Sequence, residues 1–257
     1  IEEFTELRKN TGDDRRRTHD MNTANWVPDL FMKRVCEDSE WTLFSPDETP
    51  DLHDATGADF ERRYCAYEEK AARGEINNFK RMRAVELWRK MLAMLFETGH
   101  PWVTFKDAAN LRSPQQHAGV VHSSNLCTEI TLNTSPGQEI AVCNLGSVNL
   151  AQHVTEQGLD AEKIEHTVSI AMRMLDNVLQ DFIDRATDEM SRAKYSAGRE
   201  RSVGLGVMGY HSFLQARGLG FESALAKSWN MKIFKHISAK ASEASMMLAS
   251  STTGSGT

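Results

Sequence analysis

Ile164, Val168, Ala171, Leu175, Val178 and Phe182 recur at steps of four, three, four, three and four residues. That period puts six apolar side chains on one stripe of an α-helix and turns the charged residues between them to water. A helix of this length must bury such a stripe against another element, so the stripe is read as core. The same spacing predicts helices near 24–35, where Pro28 suits a first turn and Trp26, Leu30, Phe31 and Val35 share a face, and near 59–72. It predicts another near 81–97, where Val85, Trp88, Leu92 and Leu95 step by three and four before Gly99 and Pro101 supply the stop. A last helix is expected over 222–249, with Trp229, Ile233 and Ile237 on one face. Between the helices, "WTLFSP" at 41–46 reads as a strand and "WVTF" at 102–105 as a buried one. Short strands alternating with long helices favour an α/β class over all-α or all-β.

Residues 106–138 break into polar sequence, with "TSPGQ" at 134–138 a turn between the apolar runs "EITL" and "EIAVCNL". The last eight residues, "SSTTGSGT" at 250–257, form a low-complexity tail that is expected to be disordered, which leaves 1–249 as the folded domain. With 257 residues, 40% of them hydrophobic, the chain is long enough for a substantial core. Its formal charge of −6 offers no basic field to nucleic acid or anionic lipid, and "DDRRR" at 13–17 reads as a solvated loop. The opening "IEEFTELRKN" lacks a basic stretch followed by an apolar one, and no run approaches the length of a membrane span. Cys36, Cys65, Cys127 and Cys143 include no CxxC pair and are too sparse to staple the chain, so a cytoplasmic, reducing setting is expected, with any disulfide transient and catalytic.

Three constellations carry candidate chemistry. "GLGVMG" at 204–209 matches GxGxxG, with Glu222 where a ribose-binding acid would stand, but the preceding "SAGRERSV" is too polar to be the buried strand a dinucleotide loop follows. The expectation is a helix entry with close backbone packing. His117, His122, Cys127 and Cys143 have metal-ligand atom types without the paired spacing of zinc knuckles, so the histidines read as parts of a polar loop and no metal is assigned. The third constellation is "SNLCTEI" at 124–130. If that segment is extended, Asn125, Cys127 and Glu129 project on one face. The amide can then orient a hydroxyl, the carboxylate can take a proton, and the thiol can serve as nucleophile, reductant or radical carrier. Spacing alone also permits a structural thiol.

"SNLCTEI" followed by "AVCNLGSVNL" resembles the active-site region of class I ribonucleotide reductase large subunits. "LRKNTG", "DLFMKRV" and "WTLFSP" upstream and "RSVGLGVMGY" downstream resemble the same family in the same order. The resemblance implies a ten-stranded α/β barrel whose central finger loop carries a radical cysteine, matched here by Cys127. It implies that the Cys127 thiyl removes the 3′ hydrogen of a ribonucleoside diphosphate, that Glu129 takes the 3′-hydroxyl proton, and that Asn125 hydrogen-bonds the substrate hydroxyls. Ser124, Leu126 and Thr128 complete the implied substrate contact. Cys143 matches one member of the redox pair that supplies electrons by forming a disulfide, as a dithiol donor would.

Further implications are a radical delivered by a separate metal-containing small subunit, re-reduction by an external dithiol of the thioredoxin or glutaredoxin type, and a homodimer of the full subunit. Nucleotide effectors would act through regions outside this sequence. The resemblance covers only the middle of the expected chain: the other redox cysteine, the effector loops, the radical-transfer tyrosines and the C-terminal cysteines have no counterpart here. The chain alone is therefore expected to be inactive and its barrel incomplete. Two alternatives stand beside this reading: an adenosylcobalamin-dependent reductase, which shares the barrel, and a non-catalytic product of a truncated or split gene.

Overall fold

A proline disfavours helical backbone in the residue before it, and Val27 precedes Pro28. After a one-turn helix, α1 (Glu2–Thr5), the backbone is accordingly extended as β1 (Ala24–Val27), and the helix expected from residue 24 starts beyond the proline as α2 (Asp29–Cys36). Trp26 thus belongs to a strand and not to the helical face expected for it. The structure is a computed structural model that describes residues 1–155 and 158–253, the last two by backbone alone, and the chain divides into two compact units between Pro136 and Gly137.

In the first unit, β2 (Glu40–Phe44) is the strand expected at 41–46, and α3 (Gly57–Ala72) the helix expected at 59–72. Residues 81–83, expected to be helical, instead complete β3 (Phe79–Arg83), which pairs antiparallel with β2 so that Trp41 faces Met82. Helix α4 (Ala84–Thr98) follows at once and ends on Gly99, whose φ of +71° suits a residue without a side chain. β4 (Trp102–Phe105) is the expected second strand, but it is only half-buried, with Phe105 exposed, and it pairs parallel with β1. Helix α5 (Lys106–Arg112) then occupies sequence read as an irregular polar stretch.

The core of this unit is aromatic. The Trp41 ring stacks on Tyr64 at 4.3 Å and meets the edge of Phe31 at 5.1 Å, a geometry that adds to burial. Tyr64 Oη also donates to Thr42 O and accepts from Thr42 N, both at 2.7 Å, so its buried hydroxyl is satisfied. Buried Asp107, on α5, accepts from the backbone N–H of Asp29 at 2.7 Å and of Gly57 at 2.6 Å. One carboxylate therefore serves the first turns of two helices, where unpaired N–H groups and the helix dipole favour negative charge. The same proximity, after burial, pushes the Asp29 carboxyl up.

The second unit contains β5 (Asn144–Asn149), the short pair β6 (Val154–Thr155) and β7 (Gly158–Leu159), α6 (Ala161–Arg185), α7 (Ser191–Glu200), β8 (Val203–Met208), α8 (Tyr210–Ala216) and α9 (Ala224–Thr253). Asp160 caps α6 by accepting from Lys163 N at 3.0 Å. β5 and β8 run parallel, with Asn144 opposite Val203, and α6, α8 and α9 pack a shared core around Val148, Ile164, Val168, Phe213, Ile233 and Ile237. Residues 250–253 of the expected tail continue α9, and 254–257 lie outside the described residues. Among the described residues each sheet has two strands, two pairs parallel and two antiparallel. The chain is thus a mixed helix and strand fold, and no described helix is long and apolar enough to cross a membrane.

Candidate active site

"SNLCTEI" folds as a tight turn and not as an extended strand. The backbone turns over Leu126–Thr128, Thr128 takes a φ of +65°, and its N–H donates to Asn125 O at 3.2 Å. The Asn125 side chain reinforces the turn, its Oδ1 accepting from Ile130 N at 3.0 Å. This is the local competition by which asparagine favours turns over strands: its carboxamide replaces a partner strand as acceptor. Alternation of side chains along a pleat therefore does not apply here. Asn125, Cys127 and Glu129 are nonetheless held within one closed turn, all exposed to solvent, with Leu126 half exposed at its tip. An accessible thiol flanked by a carboxamide and a carboxylate can exchange a hydrogen atom or a proton with a polar substrate.

Cys143 lies in the second unit, half-buried directly before β5, with its Sγ 3.5 Å from Asn144 O. Beside it runs "GLGVMG", which is the strand β8 itself rather than a loop between strand and helix. Close packing against backbone is what Gly209 serves, while Gly204 lies against a side chain. A Cβ at Gly204 would come within 2.5 Å of Leu145 Cδ2, and one at Gly209 within 2.9 Å of Asn149 Oδ1 and 3.1 Å of Ala151 N. Gly209, at a φ of +80°, then caps α8.

His122 pairs with residues that the spacing argument passed over: its Nε2 lies 2.8 Å from Asp54 Oδ1, its Nδ1 2.8 Å from Thr134 Oγ1, and its ring stacks on His53 with centroids 4.4 Å apart. Partial desolvation and then the neighbouring His122 hold the His53 ring below its ordinary pKa. "HD" at 53–54 lies nearly seventy residues before His122, and no local period in the sequence links them. His53, His122 and Lys106 line an open cleft of about 470 Å³ together with Leu52, Phe60 and Tyr64. The Lys106 ammonium donates to Leu52 O at 2.9 Å and His53 O at 3.1 Å and lies 4.9 Å from the Phe60 ring centre. Burial pushes its pKa down to about 8 against the opposing pull of Asp107 and Asp54.

Residues 1–255 match the family described as "Ribonucleotide reductase, barrel domain". The chain belongs to this family. Among curated relatives it is 55% identical to the ribonucleoside-diphosphate reductase subunit alpha of Chlamydia muridarum over 96% of this chain and 23% of that protein. It is 42% identical to the ribonucleoside-diphosphate reductase large subunit of Caenorhabditis elegans, over 97% of this chain and 30% of that one. A solved structure, the Actinobacillus ureae class Id ribonucleotide reductase alpha subunit, superposes with a TM-score of 0.58 at 37% identity, covering 65% of this chain and 32% of the other. The chain thus spans about a quarter of the length of these curated relatives. The barrel-domain membership bears out the family and α/β class that the motifs implied.

Proposed function

We propose that this chain is the central barrel segment of a class I ribonucleoside-diphosphate reductase large subunit, in which Cys127 carries the radical that initiates reduction of the ribose. The observation that carries the reading is the turn at 124–130, which presents an exposed thiol between Asn125 and Glu129 in a chain matched to the reductase barrel domain. Asn125 Oδ1 is engaged by Ile130 N, so its NH₂ is the group left to donate to a substrate hydroxyl. The Cys127 thiyl takes the 3′ hydrogen atom, Glu129 accepts the 3′-hydroxyl proton, and the 2′-hydroxyl leaves as water. Ser124, Leu126 and Thr128 line the ribose beside them. The two electrons come from a dithiol that becomes a disulfide, with Cys143 as one of its members.

The radical comes from a separate metal-containing small subunit, and the disulfide is re-reduced by a thioredoxin-type or glutaredoxin-type dithiol. Nucleotide effectors act through regions outside this sequence, and the complete cytoplasmic subunit is a homodimer. In such a subunit, Cys127→Ser is expected to abolish deoxyribonucleotide formation while leaving substrate binding intact, and near-normal turnover would remove Cys127 from the radical role. The 257-residue chain mixed with a small subunit is expected to show no turnover. Dependence of the complete subunit on adenosylcobalamin would move the assignment to the other reductase class.

A further inference from the structure

We propose that His53, Asp54 and His122 form a binding site for a divalent transition metal, with zinc the ion their donors suit best. The ligating atoms of the three side chains all lie within 4.8 Å of one another. Zinc holds nitrogen and oxygen donors at about 2.0–2.2 Å, which sets donors around one ion roughly 3.4 Å apart. The His53 ring, stacked on His122 with an interplanar angle of 12°, turns out of that stack to aim its lone pair at the ion, a side-chain rotation open to an exposed residue, and exposed Asp54 adjusts in the same way.

His122 is the fixed member. Its side chain is only 9% exposed, and Thr134 Oγ1 lies 2.8 Å from its Nδ1, so Nε2 is the nitrogen directed at Asp54. A second ring nitrogen tied to an outer oxygen is the arrangement that orients ligating imidazoles. On the other side, the Lys106 ammonium bonded to the Leu52 and His53 carbonyls holds the backbone from which His53 projects. Two imidazoles and one carboxylate are borderline donors that favour zinc and its neighbours over magnesium or calcium, which prefer oxygen alone. Three protein ligands leave a fourth position open toward the cleft that His53 and His122 line. His122 also stands two residues before Ser124, so an ion here cross-links the loop before α3 to the segment that enters the Cys127 turn.

The test is titration of the chelator-treated 257-residue chain with Co²⁺, followed by absorption, and displacement of that ion by Zn²⁺. The expected result is one equivalent bound with visible ligand-field bands and no thiolate charge-transfer band, and a loss of affinity of tenfold or more in both His53→Gln and Asp54→Asn. Both positions are exposed, so the variants keep the fold, which circular dichroism checks. His117→Gln, at a histidine outside the cluster, is expected to bind like the parent. A thiolate band, an equal loss in His117→Gln, or an unchanged affinity in the His53→Gln, Asp54→Asn double variant each overturns the proposal and leaves an ordinary hydrogen-bonded His–Asp pair.

Discussion

Lys106 should make the stability of the first unit rise with pH in a range where most proteins gain little. Its side chain is buried, and its pKa is lowered from 10.5 to about 8. The unfolded chain therefore binds more protons than the native chain between those values, and stability increases with pH wherever that holds. At about 1.4 kcal/mol per pKa unit, holding the ammonium inside costs about 3 kcal/mol at pH 7 and about 1 kcal/mol at pH 9.5. The hydrogen bonds survive deprotonation, because a neutral amine still has two N–H groups for the two carbonyls of Leu52 and His53. Lys106→Met removes the titration and keeps a linear side chain. Urea unfolding of both proteins at the two pH values isolates the effect, since cysteines and tyrosines titrate alike in each. The wild type is expected to gain about 2 kcal/mol on the variant across the interval. Parallel pH profiles would refute the argument and mean that the ammonium is solvated in the native state.

Asp107→Asn is expected to cost roughly 2–4 kcal/mol in urea unfolding, because the amide nitrogen turns a donor toward one of the two N–H groups that the carboxylate now receives. A change under about 0.5 kcal/mol would show that water replaces the carboxylate readily. Gly209→Ala is expected to cost about 2 kcal/mol, from left-handed backbone and from pressure on the Asn149 side chain that accepts from Ala151 N. Gly204→Ala should cost distinctly less although its Cβ contact is closer, because that contact is with the exposed, movable Leu145 side chain. Equal melting temperatures for the two variants would contradict this use of backbone geometry.

Element type was more legible in the sequence than element face. For α6, Ile164, Val168 and Leu175 are buried as the period requires, but Met172 and Leu179 take the inner places expected of Ala171 and Val178. In α4 the buried face is Ala84, Leu87, Met91 and Met94, one position away from the expected stripe, while Leu92 and Phe96 are exposed. That helix is apolar around much of its circumference, so period alone cannot choose between adjacent faces, and the choice falls to tertiary contacts with α2 and the aromatic core. The residues of the cysteine motif were legible as a group, since they are adjacent in sequence. Their geometry was not, because it depends on Thr128 accepting left-handed backbone and on a side-chain bond from Asn125 to Ile130. His122 was noticed for its ligand type, but its pairing with His53 and Asp54 had no sequence signal, because two loops far apart in the chain assemble the cluster.

The turn at 124–130 has a property that a strand would lack. In an extended segment, Asn125 would be free to rotate and its carboxamide would have no fixed sense relative to a substrate. Here Oδ1 is spent on Ile130 N, which fixes the amide plane and leaves the NH₂ as the outward group. Together with the Thr128 N–H bonded to Asn125 O, this bond closes the turn whose exposed tip, Leu126–Thr128, carries Cys127. The side-chain bond thus orients the carboxamide in a turn that the backbone bond also holds. The asparagine two residues before the thiol serves the turn through its oxygen and the proposed substrate contact through its NH₂, two roles that one carboxamide can fill together.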